Sequence, residues 1–474
     1  MEKSNINNLV VTTAIILISA IGLRSYADNP IIQTKYTADP APMVYNDTVF
    51  LYTSHDEENA DVFLMKNWLL YTSTDMVNWT DHGQVASLYD FKWADKAITG
   101  WGGFENGAWA PQCIEKDGKF YMYCPVQGRG IGVLVANSPY GPFTDPIGKP
   151  LIGGNYDSID PTVFIDNDGQ AYLYWGNPNL WYVKLNKDMI SFTGDPIKDP
   201  SVAKVKDQPD PFHYQEGPWA YKRNGKYYMA YASTCCPEGI GYAMSNSPTG
   251  PWQYKGSIMD GDPRSSGNHP GIIDYKGSTY VFGFNYAIVK QTMSKHYERR
   301  SVCVEKLTFN NDGTIQKLPF WKVTSDATQL STLNPYVRIE AETMAYSDGL
   351  KTTKSPIWER DDIWNHGKKM GEMNFVISIH NGDYIKVQGV DFSKGASTVD
   401  VCVASLYGGK IEIHTDKIDG LIMGTINVTT SGEGDRWKTI TTPVKSIKGV
   451  HDLFFVFRGE KDLFNFDWWK FNVQ

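Results

Sequence analysis

The sequence predicts an all-β chain: a five-bladed β-propeller followed by a β-sandwich of the jelly-roll kind. Three observations carry this. A unit of proline, short apolar strand, turn and aromatic strand recurs five times between Asp39 and Gly283. Aromatic residues make up 14% of the 474 residues, Gly (43) and Pro (25) are frequent, and long 3.6-period apolar stretches are scarce. From Tyr336 onward, short alternating strands replace the repeat. A chain of this length suggests two domains.

The first 27 residues differ from the rest. Lys3 precedes an apolar run, Leu9 to Leu23, and Ser25-Tyr26-Ala27 is a small-x-small site. This pattern predicts a signal peptide cut after Ala27 and a secreted or periplasmic protein. The run is short for a membrane span and no second span follows. An uncleaved anchor is the alternative.

The repeat occupies residues 28–322. Asp39-Pro40 precedes APMVYNDTVFLYTS, Ala110-Pro111 precedes QCIEKDGKFYMYC, and Asp160-Pro161 precedes TVFIDNDGQAYLYW. Glu216-Gly217-Pro218 precedes WAYKRNGKYYMAYA, and His269-Pro270 precedes GIIDYKGSTYVFG. The prolines are 71, 50, 57 and 52 residues apart. The turns are Asn46-Asp47, Asp117-Gly118, Asp168-Gly169, Asn224-Gly225 and Lys276-Gly277. A second strand pair follows each of the first four hairpins, around Trp79, Phe143, Phe192 and Trp252. Units of four strands at this period describe propeller blades. A sandwich with similar hairpins is the alternative.

Equivalent positions of each blade lie at similar height around one axis. Asp39, Asp160, Glu216 and His269 therefore converge on one funnel, with Ala110 beside Trp109 in the second blade. Asp-Pro alone carries no signal. There are seven such pairs, and five of them sit in loop-like sequence as turn formers. Asp166-Asn167-Asp168-Gly169 resembles the start of a calcium loop, but its twelfth position is Asn177, so it reads as a hairpin turn.

Three acids in one funnel cannot all ionise easily. Like charges and an apolar surround raise a carboxyl pKa, which keeps one acid protonated near neutrality while another stays a base. Glycoside cleavage uses this pair. Stabilising backbone N–H groups or a metal is the alternative use. The net charge of -8 and the lack of a basic cluster exclude nucleic acid as a partner. No organic cofactor is expected, and the chain is expected to act as a monomer. The six Cys are too few for a disulfide framework and match no zinc spacing, so they read as buried thiols. The adjacent pair Cys235-Cys236 is not expected to bridge.

These residues resemble glycoside hydrolase family 43, five-bladed propeller enzymes that act on arabinose- and xylose-containing polysaccharides. The carriers, from about Asn29 to Trp321, are TADPAPMVYNDTVFLYTS, NGAWAPQCI, SIDPTVFIDNDGQAYLYWG, YQEGPWAYKRNGKYYMAY, GNHPGIIDYKGSTYVF and RRSVCVEKLTFNNDGTI. By resemblance, Asp39 is the general base, Glu216 the general acid, and Asp160 the third acid that raises and orients it, with inversion as the outcome. His269 matches a histidine near the axis associated with calcium, which waters would bridge because one neutral imidazole is a poor calcium ligand. Trp109 matches a Trp at the sugar site, and Arg300 a partner of the base. Trp101, Phe104, Trp175 and Asn285 are further substrate-site candidates, with blade packing as the alternative. Gln112 stands where many members carry an acid.

Residues 323–335 read as a linker. The segment 336–474 resembles a family 6 carbohydrate-binding module, carried by RIEAETMAY, HNGDYIKVQGVDF, GKIEIHTDKIDGLIMGTINV, VHDLFFVFRG and LFNFDWWKF. That resemblance implies a structural calcium on Glu340, Glu342 and Asp467, and a sugar site with Trp437 and Asn465. Ser378 stands where that site's Tyr belongs. The resulting expectation is an inverting enzyme that removes α-L-arabinofuranosyl side chains from arabinoxylan or a related plant cell-wall polysaccharide. A β-xylosidase or arabinan-cleaving enzyme shares the three acids. A non-catalytic polysaccharide-binding propeller is the alternative of another class.

Overall fold

The computed structural model describes residues 25–96, 106–154, 157–203, 210, 212–293, 298–358, 369–430, 436–460 and 462–473. Five antiparallel sheets succeed one another along the chain. Their innermost strands are Tyr36–Tyr45, Gln112–Lys116, Thr162–Ile165, Tyr214–Arg223 and Gly271–Tyr275. Each packs against the innermost strand of the next sheet, and the fifth returns to the first. The ring is therefore closed, as a propeller requires. The first four blades supply four strands each from their own repeat, and the fifth supplies three.

The hairpin turns behave as their residues dictate. In four of them both central residues have positive φ: Asn46 and Asp47 (46° and 58°), Asp117 and Gly118 (53° and 76°), Asn224 and Gly225 (48° and 75°), Lys276 and Gly277 (45° and 78°). That is the twist-matched two-residue turn, and Asn, Asp and Gly tolerate it best. Large rings fill the space between blades. Trp68, Trp79, Tyr52, Tyr71 and Tyr123 are fully buried.

The ring is tied shut near the chain start. The Asn29 side chain donates to the carbonyls of Val304 and Lys322 (both 3.1 Å) and accepts from Val304 N (2.9 Å). The segment expected to be a linker is in part a strand. Thr324–Thr328 pairs with Tyr26–Asp28, Leu330 N donates to Asp75 O, and Leu333 pairs with Gly389 and Asp391 of the second domain. Backbone groups next to a packed core need partners, and these strands supply them. Ala27 is buried in this seam, so a cut directly after it would remove two of the three residues of Tyr26–Asp28.

The second domain stacks two sheets. One runs Lys351–Trp358, Lys369–Ile377, Asn465–Asn472, Thr398–Ala404, Lys438–Pro443; the other runs Tyr346–Asp348, Tyr384–Asp391, Val450–Arg458, Gly409–Thr415, Leu421–Val428. Trp469, Phe455, Phe466 and Val401 fill the space between them. The domains are continuous: Thr343–Met344 pairs with Trp79–Ser87 and extends the first blade. Buried Asp81 joins them further, accepting from Lys35 Nζ (2.5 Å), Thr352 Oγ1 (2.5 Å) and Gly83 N (2.6 Å). Burial opposes its ionisation, yet Lys35 and these donors hold its pKa below the ordinary value. Among the described residues, no helix is long and apolar enough to cross a membrane.

Asp81→Ala strips Lys35 of its buried partner. It should cost about 3 kcal/mol, read as a lower urea midpoint than that of the wild type.

Candidate active site

The acids reach the axis through a local backbone device. In the first blade Ala38 pairs with Ser54 and Ala41 with Tyr52, so Asp39 and Pro40 together oppose Thr53 in a bulge. Asp39 has φ 50° and Asp160 φ 56°, both left-handed and both before a proline. Neither is glycine, so both positions carry backbone strain of the kind concentrated at functional sites. In the fourth blade the left-handed residue before Pro218 is Gly217 (φ 60°), and Glu216 reaches in from one residue earlier. A Cβ on Gly217 would lie 3.0 Å from the His269 ring, so this close approach also requires glycine.

Asp39, Asp160, Glu216, His269, Arg300 and Trp109 line one cavity of about 290 Å³. Asp39 is held on both oxygens: Arg300 Nη1 donates to Oδ1 (2.8 Å) and Ser54 Oγ to Oδ2 (2.6 Å). Fully buried Asp56 fixes Arg300 in turn. It accepts from Nε (3.0 Å), Nη2 (2.8 Å) and the backbone N (2.8 Å). The guanidinium also lies over the rings of Phe63 (5.1 Å) and Phe284 (5.0 Å). His269 Nδ1 is 3.6 Å from Asp39 Oδ1. Burial lowers the His269 pKa, so the ring is neutral at pH 7. A single neutral imidazole at this position would meet a calcium ion only with waters or other oxygens completing the shell.

Asp160 Oδ2 accepts from Gly217 N (3.0 Å) and so fixes the residue next to Glu216. Glu216 Oε2 accepts from the Asn177 amide. Burial, then the Asp39 charge, lifts the Glu216 pKa to about 7. Asp160 is pushed well above the carboxylate range by burial first, then by Glu216 and Asp39. Asp160 thus positions Glu216 through the backbone, while burial and Asp39 are what raise it.

Other expected residues lie elsewhere. Trp175 is 2% exposed and packs with Tyr123 and Leu173 between blades, away from the cavity. Asn285 ends the strand Ser278–Asn285 and accepts from Ala287 N; its neighbours Phe284 and Tyr286 line the cavity instead. Trp101 and Phe104 lie outside the described residues. Gln112 stitches the second blade to the third through Val163 N and O. Cys235 and Cys236 are joined to each other (S–S 2.03 Å) across a cis peptide and line the cavity, contrary to expectation. Cys113, Cys124, Cys303 and Cys402 are buried thiols, as expected. Asp56, Ser54, Asn177 and Glu238 were not anticipated. Ser54, Asp56 and Glu238 lie outside the pre-proline positions, and Asn177, although it precedes Pro178, is not followed by the hairpin pattern.

Glu340, Glu342 and Asp467 line a second cavity of about 400 Å³ between the first blade and the sandwich. Arg338 forks onto Glu340 (2.8 and 2.7 Å) and approaches Asp467 (3.4 Å). Buried Glu342 Oε2 has no partner among the described residues. Burial lifts the Asp467 pKa to about 6 and that of Glu342 well above its ordinary value. Among the described residues, no three His, Cys, Asp or Glu side chains are grouped to hold an ion. Asn465 pairs with Ala404, and Trp437, just before the strand Lys438–Pro443, packs edge-on against Phe375 (5.0 Å).

Residues 27–315 match the glycosyl hydrolases family 43 profile, and residues 340–473 match carbohydrate binding module family 6. The chain belongs to glycosyl hydrolases family 43. This family 43 chain is 36% identical to an arabinoxylan arabinofuranohydrolase of Bacillus subtilis (strain 168), over 94% of its own length and 92% of the relative's. It is 33% identical to one from Paenibacillus polymyxa, over 94% and 74%. A xylosidase/arabinosidase of Bacteroides ovatus is 32% identical over 60% of this chain and 95% of its own. The crystal structure of a family 43 arabinoxylan arabinofuranohydrolase from Bacillus subtilis, in complex with cellotetraose, superposes with a TM-score of 0.77 at 33% identity, covering 94% of this chain and 97% of that one.

Glu216 holds a proton up to about pH 7, so turnover that draws on that proton should show kcat/KM falling as pH rises through about 7. The same shift bears on stability. Folding raises the Glu216 pKa from 4.5 to about 7, so the folded state takes up a proton between those values and loses stability as pH rises across them. Glu216→Gln should therefore raise Tm relative to wild type at pH 8, and by less at pH 4.

Proposed function

We propose that this glycosidase removes α-L-arabinofuranosyl side chains from arabinoxylan or a related plant polysaccharide, inverting the anomeric centre. The observation that carries the reading is Glu216, poised to hold a proton near neutrality, in one cavity with Asp39, whose two oxygens accept from Arg300 and Ser54. Asp39 takes a proton from a water as that water attacks the anomeric carbon. Glu216 gives its proton to the departing oxygen. Asp160 keeps Glu216 in place through Gly217 N, and Arg300 keeps Asp39 in place.

The substrate class is supported by likeness to arabinoxylan arabinofuranohydrolases across both domains; the similarity to the Bacteroides ovatus xylosidase/arabinosidase covers 60% of the chain. A cavity of about 290 Å³ suits one pentose ring, consistent with clipping single side chains. Residues 1–27 read as an export signal. The sandwich contributes a strand to the first blade, and Ser378 stands in place of the sugar-stacking Tyr, which together favour a bracing role for that domain. Calcium is proposed as its structural ion. Glu340, Glu342 and Asp467 line one cavity and would supply oxygens, as a hard cation prefers, once drawn together with Arg338 displaced from Glu340 and Asp467; Glu342 Oε2, without a partner among the described residues, fits that use.

Incubation with wheat arabinoxylan should release free arabinose, seen by chromatography; release of xylose alone would favour the β-xylosidase reading. Glu216→Gln should lower kcat by about 10²–10⁴-fold. Calcium should raise the Tm of the wild type over that in a chelator, and Glu342→Gln should abolish the difference.

A further inference from the structure

The catalytic cavity holds a fourth acid that the acid–base pair does not use. Glu238 follows the Cys235–Cys236 disulfide on the loop between Lys226–Ser233 and Gly239–Ser245, in the same blade as Glu216. Glu238 is 6% exposed and lines the cavity. Its seat is built by the fifth blade. Glu238 N donates to Ser266 O (3.2 Å), and Oε2 accepts from Asn268 N (3.2 Å). Asn268 is braced in turn, its Oδ1 accepting from His269 N (3.1 Å) and Phe284 N (3.3 Å). A Cβ on Gly267 would already lie 3.2 Å from Oε2, so the carboxyl rests directly on backbone. Among the described residues, Oε1 has no hydrogen-bond partner.

The charges facing Glu238 do not stabilise an anion there. Glu216 and Asp160 repel it and Arg300 attracts it; Asp39, His269, Tyr286 and Glu298 complete the titratable lining. Burial, then Glu216, raises its pKa to about 9, so it is a neutral acid at pH 7. A neutral carboxylic acid is a hydrogen-bond donor, as in oxyanion sites built on a protonated Asp. The free sugar hydroxyls of a bound glycosyl residue supply acceptors.

We propose that Glu238 is a sugar-binding residue of the catalytic pocket: with one oxygen held by Asn268 N–H, its carboxylic acid donates from the other oxygen to a hydroxyl of the glycosyl residue being removed. This rests on the glycosidase reading and adds a recognition contact to it. A site built to bond a hydroxyl discriminates strongly against an analogue lacking it, because the buried group is left unpaired.

The test uses the full chain and 4-nitrophenyl α-L-arabinofuranoside with its 2-, 3- and 5-deoxy analogues. Glu238→Ala should raise KM about tenfold or more with a smaller effect on kcat, and Glu238→Gln, which keeps an N–H donor, should recover most of that loss. One deoxy analogue should bind wild type and Glu238→Ala equally, as coupling between the partners requires. In the Glu216→Gln background, substrate affinity should fall through the alkaline range, and the fall should vanish when Glu238→Gln is added. An unchanged KM in Glu238→Ala, or the same alkaline profile with and without Glu238→Gln, would overturn the proposal. A wild type that cleaves neither arabinofuranosides nor xylosides would instead overturn the glycosidase reading.

Discussion

Five carboxyl groups, from Asp39, Asp160, Glu216, Glu238 and Glu298, line one small cavity with a single guanidinium, and burial opposes the ionisation of Asp160, Glu216 and Glu238. That shortage of positive charge organises the site. Arg300 is committed to Asp39 by direct contact and is itself clamped by Asp56. Asp160 and Glu238 rise well out of the carboxylate range, and Glu216 stops at about 7. The proposed base, acid, positioning group and sugar donor are thus the same functional group placed in four different surroundings. Moving Arg300 would redistribute the protons over all of them.

The scaffold has to hold those differences. Asp39 and Asp160 hold left-handed backbone ahead of a proline, a conformation costlier than for glycine, and the strands that follow help keep them there. The ring must also stay closed, because the acids come from blades one, three and four and Arg300 from the fifth. Asn29 ties the chain start to the fifth blade, and the sandwich adds Thr343–Met344 to the first. The Asp81 cluster at that joint pairs its buried charge, unlike Glu342 in the cavity nearby, whose Oε2 has no partner among the described residues. The second domain is therefore part of what braces the blade that carries Asp39.

Much of this was legible in the residues themselves. The repeat of proline, strand, turn and aromatic strand gave the five blades, because each turn needs Asn, Asp or Gly and each blade needs rings to fill its wedge. The same repeat selected Asp39, Asp160, Glu216 and His269, since matching positions of a closed ring face one axis. Local periodicity gave the sandwich strands for the same reason: alternation is written into a half-buried strand. What the sequence left open is whatever depends on residues distant along the chain. Asp56 holding Arg300, the neighbours that lift Glu216 and Glu238, the burial of Trp175 between blades, the strand hidden in 323–335 and the bridging of Cys235 to Cys236 all follow from proximity and desolvation. Those two properties arise only when blades one to five close upon each other, so tertiary structure alone decided which acid keeps its proton.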